Sequence, residues 1–229
     1  MARQRDEATQ GILTARPGTP TEAAVPGLHP LGLGNGTRDG FVYVPTTYRP
    51  DRPAPLAVLL HGAGGEARRS VETWRGIADD AGLVLLAPDS RAQTWDVIRG
   101  GYGPDIAFLD AALARVFAAC AVDAARVCAC GFSDGASYAL SIGIGNGELF
   151  THIVAFSPGF ASPPRQEGRP RLYVSHGTRD AVLPIERCSR RLVPQLQRGG
   201  YDVTYREFDG PHTVPPEIAA EAQAWFLGQ

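Results

Sequence analysis

From Leu56 onward the chain alternates short apolar runs with longer stretches whose apolar positions recur at helical spacing. The runs are Leu56–His61, Leu83–Ala87, Arg126–Gly131, His152–Phe156, Arg171–Ser175 and Tyr201–Phe208. The middle ones are continuously apolar, as strands covered on both faces must be. Between them, Arg68–Ala81, Pro104–Ala121, Asp134–Gly147, Ile185–Gln197 and Pro215–Leu227 carry helical patterns. This alternation predicts an α/β fold: a mostly parallel central sheet with helices on both faces. Residues 1–50 break the rhythm. Turn chemistry at Gly32-Leu33-Gly34-Asn35-Gly36 and Arg38-Asp39-Gly40 precedes the alternating run Phe41–Pro45. Two leading strands in a hairpin-like entry, antiparallel to the rest, are predicted there. No repeat, charge block or linker divides the chain, so one domain over residues 1–229 is expected, with flexibility allowed for about residues 1–10.

Composition narrows the chemistry. With 229 residues and 44% hydrophobic content, a sizeable core can be built. The net charge of −2 provides no overall field to recruit nucleic acid or an anionic membrane. All 22 basic residues are arginine, which removes the Walker A lysine, a pyridoxal Schiff base and a Ser-Lys dyad. The polar start, Met1 to Gln10, lacks the apolar stretch of a signal peptide, and no run is long enough to span a bilayer. A cytoplasmic location is expected. Cys120, Cys128, Cys130 and Cys188 read as buried free thiols, a disulfide or metal site being the alternative.

The strongest chemical signal is Gly131-Phe132-Ser133-Asp134-Gly135, a G-x-S-x-G between a buried strand and a helix. A sharp strand-to-helix turn holds the serine strained, with Oγ above the sheet edge. Glycines flank it because a Cβ there would collide with the adjoining strand and helix. The helix N-terminus aims backbone N–H groups at an oxyanion beside the serine. His61-Gly62-Ala63-Gly64-Gly65 follows the first central strand and suits a second oxyanion donor, its small residues letting the backbone approach a substrate carbonyl. A rival reading exists: Gly62, Gly64 and Ala67 fit the dinucleotide pattern G-x-G-x-x-[GA], with Asp89 further on. That reading leaves the serine elbow unexplained.

A serine nucleophile needs a base, and the base an orienting acid, each at the C-terminal end of a strand. His212 alone among the histidines lies between the last strand and the last helix; His29, His61, His152 and His176 do not. Asp180, just past the strand Arg171–Ser175, is the expected acid, with Asp209, Asp96 and Asp105 as competitors. His176 and Gly177 are read as shaping the turn. Trp95 is a candidate wall of the substrate pocket or a core residue, and Arg187, Arg190 and Arg191 a solvated face. Only residues 157–170 separate two late strands, and they are too rich in proline and glycine for a helical lid.

Together these residues resemble the α/β-hydrolase superfamily over nearly the whole chain, from the glycine loop to His212. Within it, the likeness is to the phospholipase/carboxylesterase group and its polyhydroxybutyrate-depolymerase and feruloyl-esterase relatives. It is carried by HGAGG, GFSDG, Ser157-Pro158-Gly159, HGTRD with Leu183-Pro184, and the late histidine. The acyl-protein thioesterase branch has Gln after the nucleophile and two glycines after that, where this chain has Asp134, Gly135 and Ala136. The resemblance implies an α/β-hydrolase fold without a cap domain and a Ser133–His212–Asp180 triad. It also implies an oxyanion hole of the Ala63 and Asp134 backbone amides. The function implied is a serine carboxylesterase acting on a small-molecule ester of short to medium acyl length, with no cofactor and no metal. Acyl thioesterase or lysophospholipase chemistry is the alternative within enzymes. A dinucleotide-binding oxidoreductase or a non-catalytic hydrolase-fold binding protein is the alternative of another class.

Overall fold

The computed structural model describes residues 2–34 and 38–228, so Asn35 and Gly36 of the predicted turn lie outside the described residues. Eight strands form one sheet: β1 (Gly27–Pro30), β2 (Gly40–Val44), β3 (Ala54–Leu60), β4 (Val84–Pro88), β5 (Val122–Phe132), β6 (His152–Phe156), β7 (Arg171–Gly177) and β8 (Val203–Phe208). Their spatial order is β1-β2-β4-β3-β5-β6-β7-β8. The first two run antiparallel, as β1–β2 and β2–β4 pairs, and the other neighbours are parallel. The helices are α1 (Ala2–Thr9), α2 (Ala67–Ala81), α3 (Pro104–Ala119), α4 (Asp134–Gly145), α5 (Ser189–Arg198) and α6 (Pro216–Leu227). A single 3₁₀ turn spans Asp96–Arg99. This is the α/β-hydrolase fold, and residues 157–170 contain no helix and build no cap domain.

Strand alternation divides the interior into two cores. Leu56, Val58 and Leu60 of β3, with Val127 and Ala129 of β5, face α3, α4 and α5. Ala57 and Leu59, with Cys128 and Cys130, face α2 and α6. The two cysteines therefore share a face, as their spacing predicts, and all four cysteines are buried and free. Helix α2 buries Ala67, Val71, Trp74 and Ala78, one stripe at helical spacing. It ends at Gly82, whose left-handed φ of 67° closes the C-cap.

Three elements differ from expectation. Residues 2–9 form α1, an element the sequence pattern does not predict, which packs on α3 and puts Ala8 into the core. β5 begins at Val122 rather than Arg126, because its early residues pair with β3 while Ala124 and Ala125 stay in water. α5 starts at Ser189, after turns that carry Ile185 into a buried position.

Candidate active site

The elbow forms where β5 must turn directly into α4. Ser133 sits at φ 57°, ψ −121°, a strained conformation for a residue with a Cβ. Its N–H donates to the Phe156 carbonyl of β6 at 2.9 Å, and its own carbonyl accepts from Ala136 and Ser137, so the helix starts without a connecting loop. Close packing enforces the glycines on either side. A Cβ on Gly131 would lie 2.1 Å from the Gly135 carbonyl oxygen, and one on Gly135 would lie 2.0 Å from the Leu60 oxygen.

His212 and Asp180 come from loops after β8 and β7, and the structure brings both to Ser133. His212 Nε2 lies 2.9 Å from Ser133 Oγ, and Nδ1 lies 2.5 Å from Asp180 Oδ2. The two loops are stitched together by Thr178 N–H to Phe208 O at 2.8 Å and Arg179 N–H to Gly210 O at 3.0 Å. Gly177 permits this approach: a Cβ there would fall 2.4 Å from Gly210 O. Asp180 Oδ1 accepts from Val182 N–H at 2.9 Å and Leu183 N–H at 2.8 Å. Burial raises the Asp180 pKa, but the His212 bond and these two amides outweigh it and hold the carboxyl below the usual range. Asp209, the competing acid, points into solvent and pairs with Arg179 at 2.9 Å.

The glycine loop packs against the elbow, with Gly62 so close that a Cβ would stand 3.4 Å from Ser133 Cβ. The Ala63 and Asp134 amides are taken by no other group among the described residues. His61 anchors the loop from beneath: its Nε2 accepts from Ser90 N–H at 3.0 Å, so Nδ1 donates to Gly62 O at 2.7 Å. Of the two readings of Trp95, the structure has the core one. Only 1% exposed, it stacks on Tyr138 at 4.8 Å and donates its indole N–H to His61 O at 2.8 Å. It supports the loop from below and cannot wall a pocket. Thr94 Oγ1 donates to Asp134 Oδ2 at 2.6 Å, tying the segment after β4 to the elbow.

The dinucleotide reading fails at its acid. Asp89 Oδ1 accepts from Ala67 N–H at 2.8 Å, placing a carboxylate on the helix N-terminus where a pyrophosphate would have to sit. Asp96 and Asp105 are buried, Asp105 accepting from the Arg91 and Asp96 amides and Asp96 from those of Gly103 and Asp105. Among the described residues no three His, Cys, Asp or Glu side chains converge to hold a metal ion. Arg190 pairs with Glu186 and Glu207 on an exposed surface. One neighbour of the site exceeded the sequence reading: His176 is fully buried and its Nε2 lies 3.2 Å from Asp180 Oδ2. Its place four residues before the acid, on a strand end, was the signal available.

A cavity of about 450 Å³ opens beside the glycine loop, between α2 and the start of α6, lined by Leu59, Trp74, Cys130, Phe132, Phe156 and Val214 among others. The Phe132 ring, 4.7 Å from the His212 ring, forms its wall toward Ser133. Exposed apolar side chains are also found at Phe160 and Val182, on the loops after β6 and β7.

Comparison with known proteins is consistent with this geometry. No family model matches the chain. A probable feruloyl esterase C from Aspergillus oryzae is 29% identical over 157 residues, 65% of this chain and 57% of that protein. The chain thus spans little more than half the length of that relative. Among solved structures, esterase PE8 aligns at 26% identity with a TM-score of 0.65, covering 80% of this chain and 97% of the other. A CE1 ferulic acid esterase from Anaeromyces mucronatus, solved with ferulic acid, aligns at 17% identity and a TM-score of 0.64, over 84% of this chain and 86% of its own.

Proposed function

We propose that this chain, a relative of the α/β-hydrolase serine esterases, hydrolyses carboxylic esters of small molecules through an acyl-serine intermediate. The observation that carries the reading is the continuous hydrogen-bonded path from Ser133 Oγ through His212 to Asp180, set on a strained elbow facing the Gly62–Ala63 loop. Ser133 Oγ attacks the ester carbonyl as its proton passes to His212 Nε2. Asp180 orients the ring and stabilises the imidazolium. The Ala63 and Asp134 amides receive the oxyanion, each donor contributing on the order of 3–4 kcal/mol. His212 then protonates the leaving alcohol, and water repeats the sequence to release the acid. The chemistry requires neither metal nor organic cofactor.

The substrate reading is a short to medium acyl ester. The absence of a cap leaves the site open, and the loops after β6 and β7 carry the exposed apolar side chains Phe160 and Val182. The names of the relatives add an aromatic acyl group to the candidates. The free buried thiols fit a reducing, cytoplasmic setting. A panel of p-nitrophenyl esters, methyl ferulate and acyl thioesters, run on the parent and Ser133→Ala, tests the reading. Ester turnover in the parent and its loss in the variant are expected, with stoichiometric fluorophosphonate labelling of Ser133. Turnover that survives in Ser133→Ala would overturn it, and faster thioester than ester cleavage would move the protein to the thioesterases.

A further inference from the structure

The Asp180 carboxylate receives a second imidazole that the proposed reaction leaves unused. His176 lies at the end of β7 and is fully buried. Its Nδ1 is 2.7 Å from Ser189 Oγ, and its Nε2 is 2.8 Å from Leu183 O and 3.2 Å from Asp180 Oδ2. A carbonyl only accepts, so Nε2 carries the proton and Nδ1 accepts from the Ser189 hydroxyl. The tautomer is thereby fixed. Burial holds the His176 pKa below its ordinary value, against the upward pull of Leu183 O and Asp180, so the ring is a neutral donor. The oxygen it faces, Oδ2, is the one bonded to His212.

We propose that His176 is a positioning residue: its Nε2–H, bonded to Leu183 O and held 3.2 Å from Asp180 Oδ2, fixes the rotation of the carboxylate and draws off part of its charge, setting the basicity of His212. The inference rests on the esterase reading of Ser133. Val182 and Leu183 hold Oδ1 and His212 bonds Oδ2, with the His176 Nε2–H, bonded to Leu183 O, 3.2 Å from that same oxygen. With His176 gone, undiluted charge on Oδ2 binds the His212 proton more tightly. His212 then stays protonated to higher pH, and less of the enzyme holds a free base.

The other ionisable groups around His176 are Glu207, its register partner on β8, with Arg190 bonded to it, and Cys188, beside Ser189, whose thiol burial pushes up. None is altered by the test. In His176→Leu the donor is lost. In His176→Asn the amide is too short to reach Asp180 and keeps only the Ser189 side. In His176→Gln an N–H returns near the Nε2 position. His212 is titrated by NMR in a Ser133→Ala background, and kcat and KM for p-nitrophenyl acetate are followed against pH with Ser133 in place.

In the Leu and Asn variants the His212 midpoint and the acid limb of kcat/KM should move up by about half to one pH unit. Their kcat should fall on the order of ten-fold with KM unchanged, and Gln should restore most of both. A folded Asn or Leu variant with an unmoved midpoint overturns the proposal, as does a Gln variant that behaves like Leu. Asn keeps the test open if Leu does not fold. Should Ser133→Ala prove as active as the parent, the esterase reading falls on its own. The NMR titration still judges the His176–Asp180 contact separately.

Discussion

At the scale of single residues, burial and hydrogen bonding separate groups that the sequence presents as equals. Ser133→Ala and His212→Ala should each lower kcat by several orders of magnitude, and the double variant should lose little more, since the groups act as a unit. Asp180→Asn should be damaging but milder. Asp209→Ala should stay near the parent, because its carboxylate pairs only with Arg179 in solvent; steady-state kinetics on folded variants ranks the two acids, and a worse Asp209 variant would reverse their roles. Asp96 supplies a stability test. Burial first, then the neighbouring Asp105, raise its pKa to about 6, and the backbone amides of Asp105, Gly103 and Val97 only partly offset them. The folded state therefore holds an extra proton between the unfolded value of 3.8 and about 6, so rising pH through that window removes stability. Asp96→Asn should then raise Tm by about 2–4 °C at pH 8 and by nothing near pH 4; a gain at both would assign the effect to something other than charge. The Ser-Asp-His order and the glycine pattern pick out Ser133, Asp180 and His212, the three side chains that the fold brings within hydrogen-bond distance. Trp95 was not readable, because an aromatic residue after a strand looks alike whether it faces substrate or, as here, the underside of the loop.

At the scale of elements, the legible part is what local pattern dictates. The middle strands are apolar on both faces and short, so β3, β4, β6 and β7 could be read closely, and α2 announces itself by its stripe. The illegible part is held by distant partners. Mean composition gives no hint that α1 and the segment after it dock, since the bonds that fix them come from far along the chain. Asn146, only 1% exposed, accepts from Leu13 N–H at 2.9 Å and donates to Gly11 O at 2.9 Å. Asp110 accepts from Thr14 N–H at 2.7 Å and Ala15 N–H at 2.8 Å. These side chains supply the acceptors and donors that a strand partner would otherwise provide for residues 11–15. Asn146→Ala strands buried polar groups at both places and should cost about 2–4 kcal/mol. Thermal melts should show a Tm lower by roughly 5–10 °C, with kcat and KM at 25 °C unchanged. A melt within a degree of the parent would mean that the segment is held by its apolar contacts alone.

At the scale of the whole molecule, the fold decides what can approach Ser133. The parallel strands end together, and the loops after β3, β5, β7 and β8 deliver the glycine loop, Ser133, Asp180 and His212 to that one edge. Larger hydrolases can bury a long acyl chain beneath an inserted cap, but here β6 leads to β7 through residues 157–170 alone. No helix among the described residues is long and apolar enough to cross a membrane. A long acyl chain has no inserted cap to bury it, and each methylene left in water forfeits most of the ~0.8 kcal/mol that burial would give. The value of kcat/KM should therefore rise from acetate to a short or medium ester and then flatten or fall toward palmitate. It should show no jump when the substrate aggregates, and an aromatic or bulky alcohol should be accepted because it can project out of the open groove. Soluble p-nitrophenyl esters assayed on either side of their aggregation concentrations give the comparison. A long-chain optimum, or a rate that climbs on micelle formation, would require apolar cover over Ser133 that residues 157–170 do not supply.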